Sequence, residues 1–552
     1  MVKLAPLAAL AALVLAHRGV AQDSGPIDPA RLSETVRLLA SDDFQGRAPG
    51  TAGEAKTIAY LVVRFQALGV APGGEGGTYL QAVPLVHTRI AAPAAISIAT
   101  RQGITRLSQS RDVYFSTVRD VDRATIAKAP MIFVGYGVHA PERDWDDFKG
   151  VDLHGKVAIF LVNDPDYGAS SGDPVAGRFG GKLMTYYGRW TYKYEEAARR
   201  GAIAALIVHE AAGAGYGWAT VIAPGGENYD VVRSSADERV LLQGWLDRDA
   251  ARSLFAKAGL DFERLRVAAR SPDFRPVMLS GETLSVDVPV TTTHVASHNV
   301  LAKIVGAGHP DETILFAAHW DAYGTGPADA AGRTVRAGAA DDAIGVAGVL
   351  ELARAFAAGP KPDRTLVFAA WSAEERGLLG SESYASRPLY PLTTTVADLT
   401  MDVLQTAGPA HDVVLVGNGQ TDLEDRLAAA AARQGRTITP EALPERGLYY
   451  RADHFSVARR GVPSLLLMGM SGGHDLVAGG RAAGDAWLEG YMQCYHQACD
   501  VWHADWDLRG AAQDVALYYD IGRDLANSRA WPGWRAGAEF KAIRDATAAK
   551  RR

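Results

Sequence analysis

Thiols are nearly missing from this chain: of 552 residues only Cys494 and Cys499 carry one, and they stand close together. That excludes a small scaffold held by many disulfides, and it excludes a four-cysteine zinc site, because no second pair exists to complete one. A basic surface is missing too. Lys and Arg total 57 against 63 Asp and Glu, a net charge of −6, and basic residues cluster only at Lys550, Arg551 and Arg552. Nothing in that balance calls for nucleic acid as a partner. Long apolar runs are confined to the N-terminus, where Lys3 precedes the stretch Leu4 to Ala16 and Gly19-Val20-Ala21 supplies small residues for cleavage. A bilayer span takes about 20 apolar residues, so residues 1–21 read as a cleaved secretory signal and not as an anchor. The mature protein is expected to be periplasmic or secreted, with no membrane span. In such a compartment an even cysteine count favours a disulfide. It would close a small loop, contribute little through unfolded-state entropy, and stiffen the segment holding His496.

What the chain does have is a globular composition, 48% hydrophobic and 22% charged, at a length that calls for roughly two to four folding units. Asp28-Pro29 opens a helical pattern with Leu32, Val36 and Leu39 on one face, and a second amphipathic run follows through Ile58, Leu61, Val62, Phe65 and Leu68. The texture then changes between residues 95 and 275, where short apolar segments such as Val157 to Val162 alternate with loops rich in Gly, Asp and Tyr. This block offers no catalytic constellation. His209-Glu210 starts an H-E-x-x-H pattern, but Gly213 occupies the place of the second histidine. From about residue 290, near-continuous apolar runs at Thr313 to Ala318, Thr365 to Trp371 and Ser464 to Met468 alternate with helical segments, including Asp342 to Ala358. Such runs suit parallel strands covered on both faces, and they predict an α/β fold with a mixed, mostly parallel sheet flanked by helices. Ligands of such sheets lie beyond the carboxyl ends of the strands.

The polar residues at those ends are the chemical signal. His319-Trp320-Asp321 follows the first run, with His319 placed to bind metal and Asp321 to orient its imidazole. Gly338-Ala339-Ala340-Asp341-Asp342 opens the next helix; Asp342 suits an N-cap, which leaves Asp341 unexplained by capping. Glu374 and Glu375 come directly after a buried strand, a costly pair of like charges unless cations neutralise them. Asp402 ends another short apolar segment, and His496 lies between the two cysteines. Oxygen and imidazole donors without thiolate suit a catalytic zinc site with an open position, or two zincs sharing a carboxylate.

His319-x-Asp321, the G-A-x-D element ending in Asp341, Glu374-Glu375-x-Gly377-Leu378-x-Gly380-Ser381, Asp402 and Tyr495-His496 together resemble the co-catalytic di-zinc aminopeptidase family. That family also includes glutamate carboxypeptidases and the transferrin-receptor ectodomain. The resemblance covers roughly residues 291 to 525 and extends to Gly46-Arg47-x-x-Gly50-Thr51. It implies a zinc-exopeptidase fold in which Asp341 bridges two zinc ions. His319 and Asp402 would complete one site, Glu375 and His496 the other, with Glu374 as general base and Tyr495 stabilising the tetrahedral intermediate. It also implies a bridge between Cys494 and Cys499. The middle block resembles a β-rich protease-associated domain inserted in such enzymes, giving a division into signal (1–21), N-terminal part of the peptidase domain (22–94), insert with linkers (95–275) and catalytic domain (276–552). Peptides are the expected substrates, with aminopeptidase activity favoured and a glutamate-carboxypeptidase-like enzyme the nearest alternative. Two departures from the family pattern stand here, Asp342 where Asn is usual and Ile344 where a small polar residue is usual; neither removes a ligand.

Two rival readings compete with this one. Gly469-Met470-Ser471-Gly472-Gly473 matches a G-x-S-x-G nucleophile elbow, but it gives Glu374, Glu375 and His319 no task. A catalytically inactive, receptor-like protein would not need every ligand position filled. His454 reads as structural support, His474 and His503 as surface or hydrogen-bonded histidines, and the Tyr186 to Tyr194 cluster as packing of the insert or, alternatively, the lining of a substrate cleft at the domain interface.

Overall fold

The structure is a computed structural model that describes residues 26–90, 94–233 and 239–551; the expected signal segment lies outside the described residues. The chain folds as a mixed α/β protein. Four strands run parallel in the order Ser464–Leu467, Thr395–Met401, His309–His319 and Arg364–Trp371, and Val277–Ile304 and Leu80–Ile90 extend the sheet antiparallel. The apolar runs read from sequence match these parallel strands, each extended or trimmed by a few residues at its ends.

Strand alternation explains why the runs are continuous. Ile314, Phe316 and Ala318 face one core with the helices Pro29–Leu39, Ile344–Ala357 and Arg509–Ala526, while Leu315 and Ala317 face another with Tyr384, Ala385 and Val457. At about 25 cal/mol per Å² of apolar surface, a sheet buried on both faces gains roughly twice what a half-exposed one does.

The middle block repeats this design. Arg123–Phe133, Val157–Leu161, Ala204–Val208 and Leu242–Leu246 pair in parallel, with Phe133, Ile159 and Leu206 in one core and Ile132, Phe160 and Ile207 in the other. The tyrosines between 186 and 194 pack in these cores or, as Tyr186 does, against Tyr450 and Phe455 beside the first sheet, with Tyr187, Tyr192 and Tyr194 buried.

Val277–Ile304 joins the two halves. Its first part pairs with Arg123–Phe133 and Ala95–Thr100, its second with Leu80–Ile90 and Arg364–Trp371. Gly281, at φ +91°, sits in the register shift between Met278 and Thr283, a left-handed conformation that glycine adopts without steric cost. No helix among the described residues is long and apolar enough to cross a membrane.

Candidate metal centre

Three of the site's elements begin where parallel strands end. His319 closes His309–His319, Ser372 to Glu375 follow Arg364–Trp371, and Asp402 follows Thr395–Met401, so their side chains converge along one edge of the sheet. Asp341 and His496 arrive from loops, and each loop is fixed by its own contacts.

The Asp341 loop is held by a carboxylate that sequence reasoning did not single out. Asp500 accepts from the backbone N–H of Ala340 at 2.9 Å and of Asp341 at 3.1 Å. Arg47, fully buried, holds the same region from the other side by donating to the carbonyls of Trp320 (2.7 Å), Ala337 (2.6 Å) and Gly338 (2.9 Å). These bonds give the distant Gly46-Arg47 motif a physical task in the site. Asp342 accepts from Gly345 N–H at 3.0 Å, the capping bond expected of it, and also from Val403 N–H at 3.1 Å and His319 N–H at 3.3 Å. Through those two bonds it ties two strand ends to the start of the helix Ile344–Ala357, and it lies fully buried.

His496 sits inside the Cys494–Cys499 disulfide, whose Cα atoms are 5.1 Å apart. Its Nε2 lies 3.2 Å from Asp341 Oδ2 and 3.2 Å from Glu375 Oε2. On the opposite side, His319 Nε2 lies 3.1 Å from Asp341 Oδ1. The Asp341 carboxylate therefore divides its two oxygens between two imidazoles. Two groups of donor atoms result, His319/Asp341/Asp402 and Asp341/Glu375/His496, each with its ligand atoms within 4.8 Å of one another.

The electrostatics fit a cation. Burial, together with the neighbouring carboxylates, pushes Glu374 and Glu375 well above the usual carboxylate range, and it raises Asp402 to about 8. Asp341 moves the opposite way: its contacts with His319 and His496 outweigh burial and hold it below the usual range. A buried acidic cluster of this kind keeps its charge only when cations neutralise it. Divalent metal bound by oxygen and imidazole donors meets that need.

Glu374 belongs to neither donor group. Its backbone N–H donates to Asp321 Oδ1 at 2.9 Å, and its Oε2 lies 3.9 Å from His319 Nε2, at the edge of the centre. Asp321 orients His319 chiefly through its carbonyl, 3.1 Å from Nδ1, with its carboxylate farther off at 3.7 Å. The ring of Tyr495 lies 3.6 Å from that of His496.

Tyr323 was also not legible in the sequence. Its hydroxyl lies 3.0 Å from His496 Nδ1, and the Arg376 guanidinium stands 5.2 Å from both the Tyr323 and Tyr229 rings. When Nε2 of His496 faces a cation, Nδ1 carries the proton and donates it to Tyr323. A Tyr323→Phe protein is expected to bind zinc about tenfold more weakly at the His496 group, the lower end of the effect of removing a ligand's outer partner. Zinc titration against a competing chelator measures this, and wild-type affinity would remove Tyr323 from the role.

The remaining histidines and Ser471 lie outside the centre. His454 is buried against Tyr449, with burial lowering it to about 3. His474, read from sequence as a surface or hydrogen-bonded residue, is buried with neither ring nitrogen bonded, because the helix Gly480–Cys494 folds back over it. His503 is exposed. The Ser471 hydroxyl donates to the Met468 carbonyl at 2.7 Å, and the Gly469–Ser471 turn does not continue into a helix as a nucleophile elbow must.

Residues 299–520 match the sequence profile described as Peptidase family M28. A probable zinc metalloprotease from Pyrenophora teres f. teres (strain 0-1) is 36% identical over 124 residues, which is 22% of this chain and 25% of that protein. Leupeptin-inactivating enzyme 1 of Streptomyces exfoliatus is 27% identical over 215 residues, 38% of this chain and 44% of the enzyme. The chain thus spans between a quarter and less than half of the length of these curated relatives. Among solved structures, an aminopeptidase from Aneurinibacillus sp. strain AM-1 is 20% identical with a TM-score of 0.48, covering 94% of this chain and 97% of that one. The matched segment contains both donor groups, Glu374 and Tyr495.

Proposed function

We propose that this chain is an exported, zinc-dependent exopeptidase that removes N-terminal residues from peptides. One observation carries the reading: the two oxygens of Asp341 serve two separate imidazole-carboxylate groups, the arrangement expected of a carboxylate shared between two metal ions.

Zinc held by His319, Asp341 and Asp402, and by Asp341, Glu375 and His496, would supply Lewis acidity and bring the pKa of water towards about 7. Glu374 is free of both groups and takes the proton of the attacking water, then returns it to the leaving amine. The Tyr495 hydroxyl donates to the oxyanion that forms on the peptide carbonyl. Asp500 and Arg47 keep the Asp341 loop in place while charge moves. Residues 95–275 act as an inserted protease-associated domain, its 184–189 segment lying against the 444–451 loop that borders the centre.

Peptides longer than three residues, blocked at one end or the other, test the direction of attack. Zinc-loaded protein is expected to cleave free and C-terminally amidated peptides and to lose activity on N-acetylated ones, and chelation should abolish both activities until zinc is restored. Cleavage that survives N-acetylation but is lost on C-terminal amidation would replace the aminopeptidase reading with a carboxypeptidase one. Zinc-independent cleavage would overturn both.

A further inference from the structure

The middle block sends one strand back to the sheet that carries the candidate centre. Glu227–Val231 pairs antiparallel with Leu80–Ile90 and sets Tyr229 directly opposite His87. The two rings stack, with centroids 4.3 Å apart and planes 14° from parallel. Val231, two residues on and so on the same face, packs with Val83, Leu85, Ala373 and Leu379 in a small apolar cluster that Tyr229 borders. Ala373 immediately precedes Glu374 and opens a turn that L residues do not choose freely. Ala373 at φ +54° and Leu378 at φ +61° are both left-handed, a conformation that a residue with a Cβ holds where its surroundings impose it. The cluster containing Val231 supplies such surroundings at one end of the turn.

Arg376 belongs to the same turn. Its guanidinium makes no hydrogen bond or ion pair with any other described residue. What it has is two aromatic faces, the Tyr229 ring at 5.2 Å and the Tyr323 ring at 5.2 Å. A guanidinium gains over such faces both from the ring quadrupole and from planar stacking. Beyond it, the Tyr323 hydroxyl lies 3.0 Å from His496 Nδ1, and His496 Nε2 lies 3.2 Å from both Asp341 Oδ2 and Glu375 Oε2. Contacts therefore run from His87 and Tyr229 through Arg376 and Tyr323 to a nitrogen of the second donor group.

We propose that Tyr229 and Arg376 are positioning residues for the His496 donor group. The middle-block strand holds Arg376, Arg376 holds the Tyr323 ring, and the Tyr323 hydroxyl fixes the imidazole with Nε2 turned to the metal. Neither Tyr229 nor Arg376 supplies an atom to either donor group. The inference rests on the zinc reading of the centre and gives the middle block a share in holding the metal.

Zinc titration of the full chain against a competing chelator tests it. Tyr229→Leu keeps the apolar bulk beside Val231 and removes the aromatic face. It is expected to weaken one of the two zinc-binding steps by roughly 3–10-fold, at or below the effect of removing a ligand's outer partner, and to leave the other within about twofold. Tyr229→Phe keeps the face and is expected to bind zinc as wild type does. Because the effect runs through the Tyr323 hydroxyl, adding Tyr229→Leu to Tyr323→Phe should shift zinc by less than about twofold. Arg376→Gln should reproduce the Tyr229→Leu shift without adding to it, and it carries the comparison if Tyr229→Leu does not fold. Wild-type zinc affinity in Tyr229→Leu and Arg376→Gln would overturn the proposal. Equal losses with and without the Tyr323 hydroxyl would mark plain destabilisation and overturn it too. Tyr229-dependent zinc binding in a protein that cleaves no peptide would sink the peptidase reading and leave the support standing. Cleavage by a zinc-loaded protein whose metal is indifferent to Tyr229 would sink the support alone, and a wild-type protein that binds no zinc would overturn both.

Discussion

An Asp341→Asn protein is expected to fold and to lose both zinc ions together. Each donor group counts on one Asp341 oxygen, Oδ1 facing His319 and Oδ2 facing His496. Asparagine keeps the shape but offers one neutral acceptor, so at most one group could retain a weakened oxygen ligand. Loss of an outer partner alone costs roughly 10–100-fold in metal affinity, and loss of a shared ligand is expected to exceed about 100-fold at both groups. The loop itself should persist, because Asp500 holds it through the backbone N–H groups of Ala340 and Asp341 and Arg47 through carbonyls. Metal analysis after dialysis against buffered zinc, alongside near-ultraviolet circular dichroism, separates loss of ligand from loss of fold. Retention of two zinc ions at wild-type affinity would refute the shared-carboxylate assignment.

Glu374→Gln is the second large effect, and its signature is the converse: turnover collapses while zinc stays. Glu374 contributes no atom to either donor group, so its amide should leave metal content near wild type. What disappears is the proton acceptor, and general acid–base catalysis contributes roughly 10²–10⁴-fold. KM is expected to move little, because the shape of the side chain is kept. Glu375→Gln, one residue along, should instead weaken zinc first, since Glu375 Oε2 lies 3.2 Å from His496 Nε2 within its group. If the two variants behaved alike, the separation of metal holding from proton transfer between these neighbours would fail.

The parallel strands were legible because burial on both faces leaves a run of apolar residues that no exposed segment would tolerate. His319, Asp402 and the Glu374-Glu375 pair were legible for the complementary reason: each is a polar break at the end of such a run, where the fold brings it to the candidate centre. Asp500 and Tyr323 gave no comparable signal. Their partners are Asp341 and His496, far away in sequence, and a lone Asp or Tyr in a loop has many ordinary explanations. His474 misled in the opposite direction, since a histidine among glycines reads as surface until the helix Gly480–Cys494 is seen to cover it. The full length of Val277–Ile304 was hidden by Gly281 and Pro289, which punctuate the sequence as loop residues while the strand accommodates one in an irregular register and pairs the other with Arg123.

That strand bears on how the two lobes can be separated, in the laboratory or in descent. A recombination event that swaps the block 95–275 for another must restore a continuous rod whose front half completes one sheet and whose rear half completes the other. An excision that stops short of the rod strips the front half of its pairing partners and leaves an unpaired edge, open to association with a neighbouring molecule. Block 95–275 and the sheet behind it therefore share one strand, and chimaeras that carry the rod across with the block are the ones expected to stay monodisperse.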